Sequence, residues 1–499
     1  MSDGSPIVLT GDRTLMADFG LLLDGMACSS QTSRTPWGMA GRLMAPPVPA
    51  DGVRARCAPL GLRRVEAALL RDGWTSDEVA VVRPEELPEA VGPATRVIGL
   101  SSGDPLGLGM NSTTMRGVFG GESWTQLQFR RLCAQVRGVR PRAPSARTVF
   151  GGPGVWQIAG DRDARAEFGI DHVIAGYCED GVSGWFARIA HGHDLPAVLE
   201  GGGASRGIPP LAGAAVMGAV ELSRGCGLGC RFCSLRGEPM VHVPAETVLH
   251  DVRTNLSAGL GAVSLVSEDL LRYGASLGRL DPEALLDLVA RIASMEGVRI
   301  IQGDHVNVAS VARYSDDQLE RLYRLLACGA GPRAMVWVNV GVESASGLLL
   351  QSAGCEAKML PHGPGRWAAL CREQVLRLCR AGFFPLVSLV MGLPGEAPGD
   401  VEETDHWVAG LQREPLAVFP LFYAPTDRAQ RGFAAGDMTP AQWRLFRRCW
   451  KLNLRRMPRL YWDNQRRCGV ALGRRLLMRA LARAQGVWWK CLMAGRKGK

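Results

Sequence analysis

The sequence has no uninterrupted run of about 18 apolar residues, the length that a membrane-spanning helix needs. Its first residues, Met1-Ser-Asp-Gly-Ser5, have neither the basic start nor the apolar core of a signal peptide. Fourteen cysteines among 499 residues, most of them scattered, do not make a disulfide scaffold. We therefore expect no transmembrane helix and a protein of the reducing cytoplasm.

Acidic residues are nearly absent from the carboxyl end. Residues 440–499 contain 17 Lys and Arg against one acidic residue, Asp463, so this segment carries +16. Residues 1–439 therefore carry −6 of the net charge of +10. The sequence describes a mildly acidic body with a strongly basic tail.

Three cysteines stand close together in Ser223-Arg-Gly-Cys226-Gly-Leu-Gly-Cys230-Arg-Phe-Cys233, after an apolar run that predicts a strand. Thiolates are soft ligands that suit iron–sulfur clusters, and the glycines allow a loop to curl until the sulfurs converge. Three ligands leave one iron of a four-iron cluster open. The alternatives are buried structural cysteines or a zinc site, but zinc usually takes four ligands, and no Cys or His follows within eight residues.

At these residues the sequence resembles the radical S-adenosylmethionine (SAM) superfamily. The resemblance implies that Cys226, Cys230 and Cys233 hold a 4Fe-4S cluster and that SAM binds its open iron. It also implies that Phe232 lies beside the adenine, and that an external donor of the flavodoxin or ferredoxin type supplies the electron that cleaves SAM to a 5′-deoxyadenosyl radical.

Apolar strands alternate with helical patterns in the first third of the chain, which predicts a parallel α/β sheet. Glycine-rich turns follow three successive strands, beginning at Ser101, Gly151 and Gly176. Such turns can simply connect strands and helices. Three on one edge of a sheet favour a ligand, because ligands bind beyond the carboxyl ends of parallel strands.

This third resembles the cobalamin-binding domain that precedes the radical SAM core in one large subgroup. The Asp-x-His-x-x-Gly segment of other corrinoid proteins is absent, and His172 lies within a predicted strand. The resemblance therefore implies cobalamin without a lower His ligand. We expect it to contact Ser101, Ser102, Gly103, Gly151, Gly152 and Gly176.

The central part repeats the strand–helix alternation, which predicts a partial β/α barrel with its site at the carboxyl ends of the strands. Polar residues collect at those ends. By resemblance to radical SAM proteins, we expect cofactor contacts from Ser267, Glu268, Gly341, Glu343 and Ser344. Asp304 and His305 are candidates for catalytic contact with the substrate. Each acid could instead be solvated or ion-paired.

The tail beyond residue 436 has helical periodicity. Arg475, Arg479 and Arg483 repeat on one face, and apolar residues that end in Trp488-Trp489 lie on another. Such a helix can lie on an anionic membrane surface, bind an acidic partner, or pack on the body with a solvated Arg face. Nothing in it resembles a nucleic-acid module, so we expect no nucleic acid.

Together these patterns predict an α/β protein with a Rossmann-like domain (1–200), a partial β/α TIM-type barrel (210–435) and a basic helical region (436–499), with a linker at 194–214. The resemblance implies that the first domain binds cobalamin. The resemblance implies methylation of an unactivated carbon in a small-molecule or lipid substrate. Ring formation, C–C coupling and loss of cobalamin binding remain alternatives. So does a cluster protein without SAM chemistry.

Overall fold

The computed structural model describes residues 3–203, 207–276, 278–331 and 333–495. The chain forms two compact units. The first contains residues 1–116, 120–220 and 246–260, and the second contains 117–119, 221–245 and 261–499. Residues 204–206 of the predicted linker and 496–499 of the predicted tail lie outside the described residues.

The first unit is built on a six-stranded parallel sheet with strand order β2-β1-β3-β4-β5-β6. Every residue of β1 and β3 is buried, as expected for parallel strands covered by helices on both faces. The strands are β1 Ile7–Gly11, β2 Val79–Val81, β3 Val97–Ser101, β4 Arg147–Gly151, β5 His172–Ala175 and β6 Val198–Glu200.

The predicted strands of this sheet are present, and Ser101 lies beside Gly151 in the register of β3 and β4. The three glycine-rich turns therefore follow the carboxyl ends of neighbouring strands. The predicted linker at 194–214 contains a strand, because Val198–Glu200 pairs with β5 at the edge of the sheet. A strand of three residues among glycines and prolines is too short to show alternation in the sequence.

Helices cover the first unit, and one of them comes from far along the chain. Arg64 donates to Asp251 across 2.6 Å in a fully buried ion pair. Asp251 belongs to a helix within the predicted 210–435 domain, so the structure differs from that boundary. The helices are α1 Leu22–Ser29, α2 Leu60–Arg71, α3 Met110–Phe119, α4 Trp124–Val139, α5 Arg162–Phe168, α6 Val182–Ala190 and α7 Ala245–Ser257, of which α3 ends in residues of the second unit.

Two further sheets are ordered β7-β8-β9 and β10-β11-β12-β13, and in both of them spatial order follows chain order. Strands β8 to β13 belong to the second unit. The pairs β8–β9, β10–β11, β11–β12 and β12–β13 are parallel. Only Asp304 separates β9 from β10. The strands are β7 Ala219–Glu221, β8 Ala262–Val266, β9 Ile300–Gly303, β10 His305–Val306, β11 Val336–Glu343, β12 Phe383–Met391 and β13 Ala417–Phe422.

The helices between these strands begin where the sequence supplies capping groups. Before α9, Ser315 and Gln318 form a capping box, and before α8 the Asp281 carboxylate accepts from Ala284 N at 3.2 Å. The longer helices of this unit are α8 Pro282–Ala293, α9 Asp316–Leu326, α10 Gly347–Ser352, α11 Trp367–Ala381, α12 Pro398–Ala409, α13 Pro440–Arg467 and α14 Leu472–Gly495.

Short elements complete the two units. Two-residue strands pair as Ala50–Asp51 with Arg54–Ala55, Cys57–Ala58 with Ala214–Ala215, and Ser223–Arg224 with Val241–His242. Four-residue helices are Pro36–Met39, Leu87–Ala90, Val308–Val311 and Glu356–Met359.

The basic region forms two helices, α13 and α14, that pack through aromatic side chains. Trp489 stacks on Trp450 with ring centroids 5.8 Å apart, and Trp488 lies 5.3 Å from Phe119. Trp489 is buried. The rings of the tryptophan pair therefore pack within the second unit. Among the described residues, no helix is both long and apolar enough to cross a bilayer.

Candidate active site

The three clustered cysteines lie on a loop that closes on its own backbone, between the antiparallel strands Ser223–Arg224 and Val241–His242. Cys226 N and Gly227 N both donate to Glu238 O, at 3.2 and 2.8 Å. Gly225 has φ +67°, and a Cβ there would lie 2.1 Å from Pro239 O. The loop can close at this point only with glycine.

Cys226, Cys230 and Cys233 are free thiols that lie close enough to affect one another. Burial raises the pKa of Cys233 to about 11, and negative charge on Glu268, Cys230 or Cys226 adds to this. No three Cys, His, Asp or Glu side chains in the described ranges are arranged to bind a single metal ion. In a 4Fe-4S cluster each cysteine binds a different iron, so the three thiols need not converge on one ion.

Cys230 has two buried neighbours from a later part of the chain. The Cys355 thiol and the Lys358 ammonium lower the pKa of Cys230 to about 7. A thiol with a lowered pKa is more often a thiolate, the form that binds iron. Cys355 and Lys358 therefore favour the charge state that a cluster ligand needs.

Glu268 lies close enough to the cysteine loop for its charge to act on two of the cysteines. Its negative charge raises the pKa of both Cys226 and Cys233, and burial raises the pKa of Glu268 itself. Its side chain is nevertheless accessible to water, so a ligand could reach the carboxylate.

Asp304 and His305 form a hydrogen-bonded pair where β9 meets β10. His305 Nδ1 lies 2.9 Å from Asp304 Oδ1, which also accepts from Asn339 Nδ2 at 2.9 Å. Although burial opposes it, the charges of Asp304, Glu268 and Glu343 raise the pKa of His305 to about 9. The imidazole is 48% exposed, so a ligand could reach it.

Glu343 ends β11 at a bulge in its pairing with β12, and its φ is +63°. Its Oε1 forms a buried ion pair with Lys358 Nζ, and its Oε2 accepts from Ser388 Oγ at 3.2 Å. A Cβ at Gly341 would lie 2.4 Å from Glu343 Oε1. Glycine at position 341 therefore leaves room for the pair.

These groups lie close enough together for the charge of each to act on the next. Cys230 is coupled to Lys358 and Glu343, Glu343 to His305, His305 to Glu268, and Glu268 to Cys226 and Cys233. The second unit thus brings the cysteine loop and the predicted polar residues Glu268, Asp304, His305 and Glu343 to one region.

Three other predicted residues are placed differently. Ser267 Oγ lies 2.6 Å from Ser223 Oγ, and Ser344 Oγ lies 3.2 Å from Thr404 Oγ1; both serines are buried. Phe232 is partly exposed on the cysteine loop. The hydroxyls of the two serines hold neighbouring segments together.

The first unit has its own candidate surface, at the carboxyl edge of its sheet. A Cβ at Gly103 or Gly151 would meet no atom within 4 Å. Gly152 differs, since its φ is +94° and a Cβ would lie 2.5 Å from Ser101 Oγ. Ser101 and Ser102 are buried, and Gly176 follows β5 with φ +89°. Open space over a glycine edge is compatible with a large flat ligand.

Residues 220–408 match the family model described as "Radical SAM superfamily". This part of the chain is therefore similar to radical SAM domains. Such a domain implies a 4Fe-4S cluster and SAM, and the only closely spaced cysteines within the matched residues are those of the loop at 226–233. That loop carries three free thiols, a donor set that suits such a cluster.

Curated relatives of the radical SAM domain are enzymes of methylthio transfer. The "Ribosomal protein uS12 methylthiotransferase RimO" of Leptospira biflexa is 28% identical over 225 residues, 44% of each chain. The "tRNA-2-methylthio-N(6)-dimethylallyladenosine synthase" of Sulfurovum sp. is 23% identical over 221 residues, 42% of this chain and 46% of that enzyme. The chain spans less than half the length of these relatives.

A solved structure resembles most of the chain in fold. The "radical S-adenosylmethionine methyltransferase, TsrM" of Kitasatospora setae, with tryptophan and a SAM analogue, matches with a TM-score of 0.53 and 15% identity. The match covers 85% of this chain and 75% of TsrM. A second TsrM structure, with cobalamin and a [4Fe-4S] cluster, gives a TM-score of 0.52. At this identity the likeness shows a common α/β fold that extends beyond the radical SAM domain.

The sequence analysis missed Lys358 and Cys355. Nothing in their spacing relates them to the cysteine loop, since they follow a helix that begins after Glu343. A lysine in a short helix that also contains a glutamate normally indicates a solvated surface. The only available signal was the position of Lys358 in the segment after the Gly341-Val-Glu343-Ser344 motif.

Proposed function

We propose that this protein is a cobalamin-dependent radical SAM enzyme that methylates an unactivated carbon of a biosynthetic intermediate. The observation that carries the proposal is the combination of a glycine-edged parallel sheet with a radical SAM domain, in a chain whose fold resembles TsrM over 85% of its length. TsrM structures hold cobalamin and a [4Fe-4S] cluster. In this proposal the first unit is a Rossmann-like cobalamin domain and the second a partial β/α barrel.

The first unit supplies a surface that suits the corrin. Gly103 and Gly151 face open space at the carboxyl edge, where a ring could approach the backbone. No lower ligand is expected from His172, which begins β5 at the opposite edge and has its Nδ1 2.9 Å from Pro196 O. Bound cobalamin would supply the site of methyl transfer.

In the second unit, Cys226, Cys230 and Cys233 would hold the cluster, which supplies the electron that cleaves SAM. Glu268 is suited to bind a cation such as the SAM amino group, because a positive charge would offset the burial that raises its pKa. Lys358 and Ser388 hold the Glu343 carboxylate, so its position in the site is fixed.

Asp304 and His305 are suited to contact the substrate. With a pKa of about 9, His305 is protonated at neutral pH and can donate a hydrogen bond or a proton to an anionic group. Asp304 holds the ring in one orientation through Nδ1, and Asn339 holds Asp304. This arrangement leaves Nε2 as the donor to a substrate.

Methylthio transfer is the second candidate, and the curated relatives favour it. Ring formation and C–C coupling, including on a lipid, use the same SAM cleavage. A first unit that only shapes the substrate site would give an enzyme without cobalamin. In each case we expect a small-molecule or lipid substrate, reduction by a flavodoxin or ferredoxin, and a cytoplasmic enzyme.

The test is anaerobic reconstitution with iron, sulfide and hydroxocobalamin, followed by incubation with SAM carrying a deuterated methyl group and a reductant. Bound corrinoid together with S-adenosylhomocysteine and 5′-deoxyadenosine, measured by mass spectrometry, supports the proposal. Iron without retained corrinoid would overturn cobalamin dependence. Failure to consume SAM in the presence of an intact cluster would contradict radical SAM chemistry.

A further inference from the structure

The exposed face of helix α14 carries both apolar and basic side chains. Its inner side carries Met478, Trp489 and Met493, which are buried. On its outer side Leu472, Leu476 and Val487 are 56%, 51% and 62% exposed. Large aliphatic side chains exposed at this level along one helix point to a binding surface.

The exposed apolar residues form a strip with cations along one side. With about 3.6 residues per turn, Leu476, Ala480 and Val487 fall on one line, which we call the apolar strip. Arg479, Arg483 and Lys490 are exposed and lie within about one sixth of a turn to one side of it. Apolar and cationic strips in contact are typical of a helix that lies in a membrane interface.

The row of cations formed by Arg479, Arg483 and Lys490 continues onto the neighbouring helix, α13. The guanidinium groups of Arg475 and Arg479 lie 4.9 and 5.2 Å from the ring centroid of Trp462, which belongs to α13. This contact places the cationic edge of α14 beside the helix face of α13 that contains Trp462. Exposed on that face, at helical spacing from Trp462, are Arg455, Arg459 and Arg466.

Little negative charge offsets these cations. Asp463 is the one acidic residue between positions 440 and 499, and it lies 3.2 Å from Arg466. Its second oxygen accepts from Met335 N at 2.9 Å. The other arginines of the face remain available to an anionic surface.

We propose that α14 docks this protein on an anionic phospholipid bilayer. The apolar strip enters the boundary between headgroups and acyl chains, and the cations of α14 and α13 bind lipid phosphates. Charge complementarity selects the anionic surface, and the exposed aliphatic residues select a bilayer over a purely polar polyanion. The proposal does not depend on the reaction that the active site performs.

Nucleic acid fits this surface less well. Single strands are bound by aromatic faces on which bases stack, but Trp462 carries two guanidinium groups, and Trp488 and Trp489 pack on Phe119 and Trp450. The phosphate backbone of a nucleic acid is charged and would not bind the apolar strip.

The test is sedimentation of the full-length, cluster-loaded protein with vesicles of phosphatidylcholine alone or mixed with phosphatidylglycerol. We expect binding to the mixed vesicles at low salt, partial release at high salt, and little binding to pure phosphatidylcholine. Arg479→Gln with Arg483→Gln should weaken binding by about tenfold. Leu476→Ser with Val487→Ser should weaken it by a similar factor, whereas Leu43→Ser, at a 64% exposed leucine of the first unit, should not.

Circular dichroism and iron content check that each variant is folded; all the altered residues are exposed. The proposal is overturned if the intact protein ignores the anionic vesicles at low salt. It is also overturned if the Leu476→Ser, Val487→Ser variant binds the anionic vesicles as the parent protein does and transfer RNA displaces both proteins from the vesicles. That result would assign the surface to nucleic acid.

Discussion

Lys358 and Glu343 form an ion pair inside the second unit, with side chains that are 9% and 10% exposed. Glu343 holds this position with a left-handed backbone, which is rare for a residue other than glycine and costs free energy. Because the pair also borders Cys230, it joins the cysteine loop to the carboxyl end of β11. The pair is therefore a structural part of the candidate site as well as a chemical one.

Removing one member of this pair should destabilise the protein strongly. Lys358→Met leaves the Glu343 carboxylate buried without its cation, which typically costs about 3–5 kcal/mol. Arg321→Met removes a partner of Glu283 from a pair that is 49% and 63% exposed, and should cost less than about 1 kcal/mol. Urea denaturation of the cluster-free protein measures both. Equal losses would show that the Lys358 pair is not buried in solution.

The cluster ligands can be separated from the other cysteines. Cys226→Ala, Cys230→Ala and Cys233→Ala should each abolish the visible absorbance of the cluster and the cleavage of SAM. Cys371→Ala should leave both intact, because burial raises the pKa of this thiol well above its usual value and disfavours a thiolate. Loss of the cluster in the Cys371 variant would mean that the ligands are misassigned.

Stability should fall as pH rises from about the usual histidine pKa toward 9. The pKa of His305 is raised from 6.5 to about 9, so between these values the folded protein holds a proton that the unfolded chain releases. This contribution is complete below pH 6.5 and is lost above pH 9. Asp304→Asn should lower the His305 pKa in a nuclear magnetic resonance titration and flatten the pH dependence. An unchanged titration would exclude Asp304 as the main cause.

The glycine edge of the first unit offers a test that leaves the fold unchanged. Gly103→Val extends into open space, so the free protein should remain stable while cobalamin retention falls by about tenfold or more. The matched control is Gly138→Val. Gly138 is exposed near the end of α4, and this helix leads to the opposite edge of the sheet. Full retention of cobalamin by the Gly103 variant would place the ligand elsewhere.

The sequence was most informative where local signals and packing agree. The apolar periodicity of the sequence predicts helices over 316–326 and 367–381, and α9 and α11 have these bounds. Ser315 caps the first helix, and Gly382, with φ +106°, ends the second. The cysteine spacing likewise identified the loop that the family model includes. Strand β6 was missed because an edge strand of three residues has no period to detect.

The partners of polar side chains could not be predicted in the same way. Glu343 carries a left-handed φ that its sequence does not signal, and its partner Lys358 comes from a separate short helix. The tail shows the same limit, since periodicity placed Trp488 and Trp489 on a helix face but could not show that Phe119 and Trp450 cover them. Contacts between distant segments depend on the tertiary fold.

Helix α7 makes the first unit discontinuous along the chain. Asp251 of this helix accepts from Leu211 N at 2.8 Å and from Arg64, and Asn255 accepts from Ala215 N at 2.7 Å. A fragment that stops before this helix would leave Arg64 buried without a counter-charge, at a cost of about 3–5 kcal/mol. The two units therefore cannot be exchanged with those of another protein at a single junction in the chain. Such an exchange would separate α7 from the rest of the first unit.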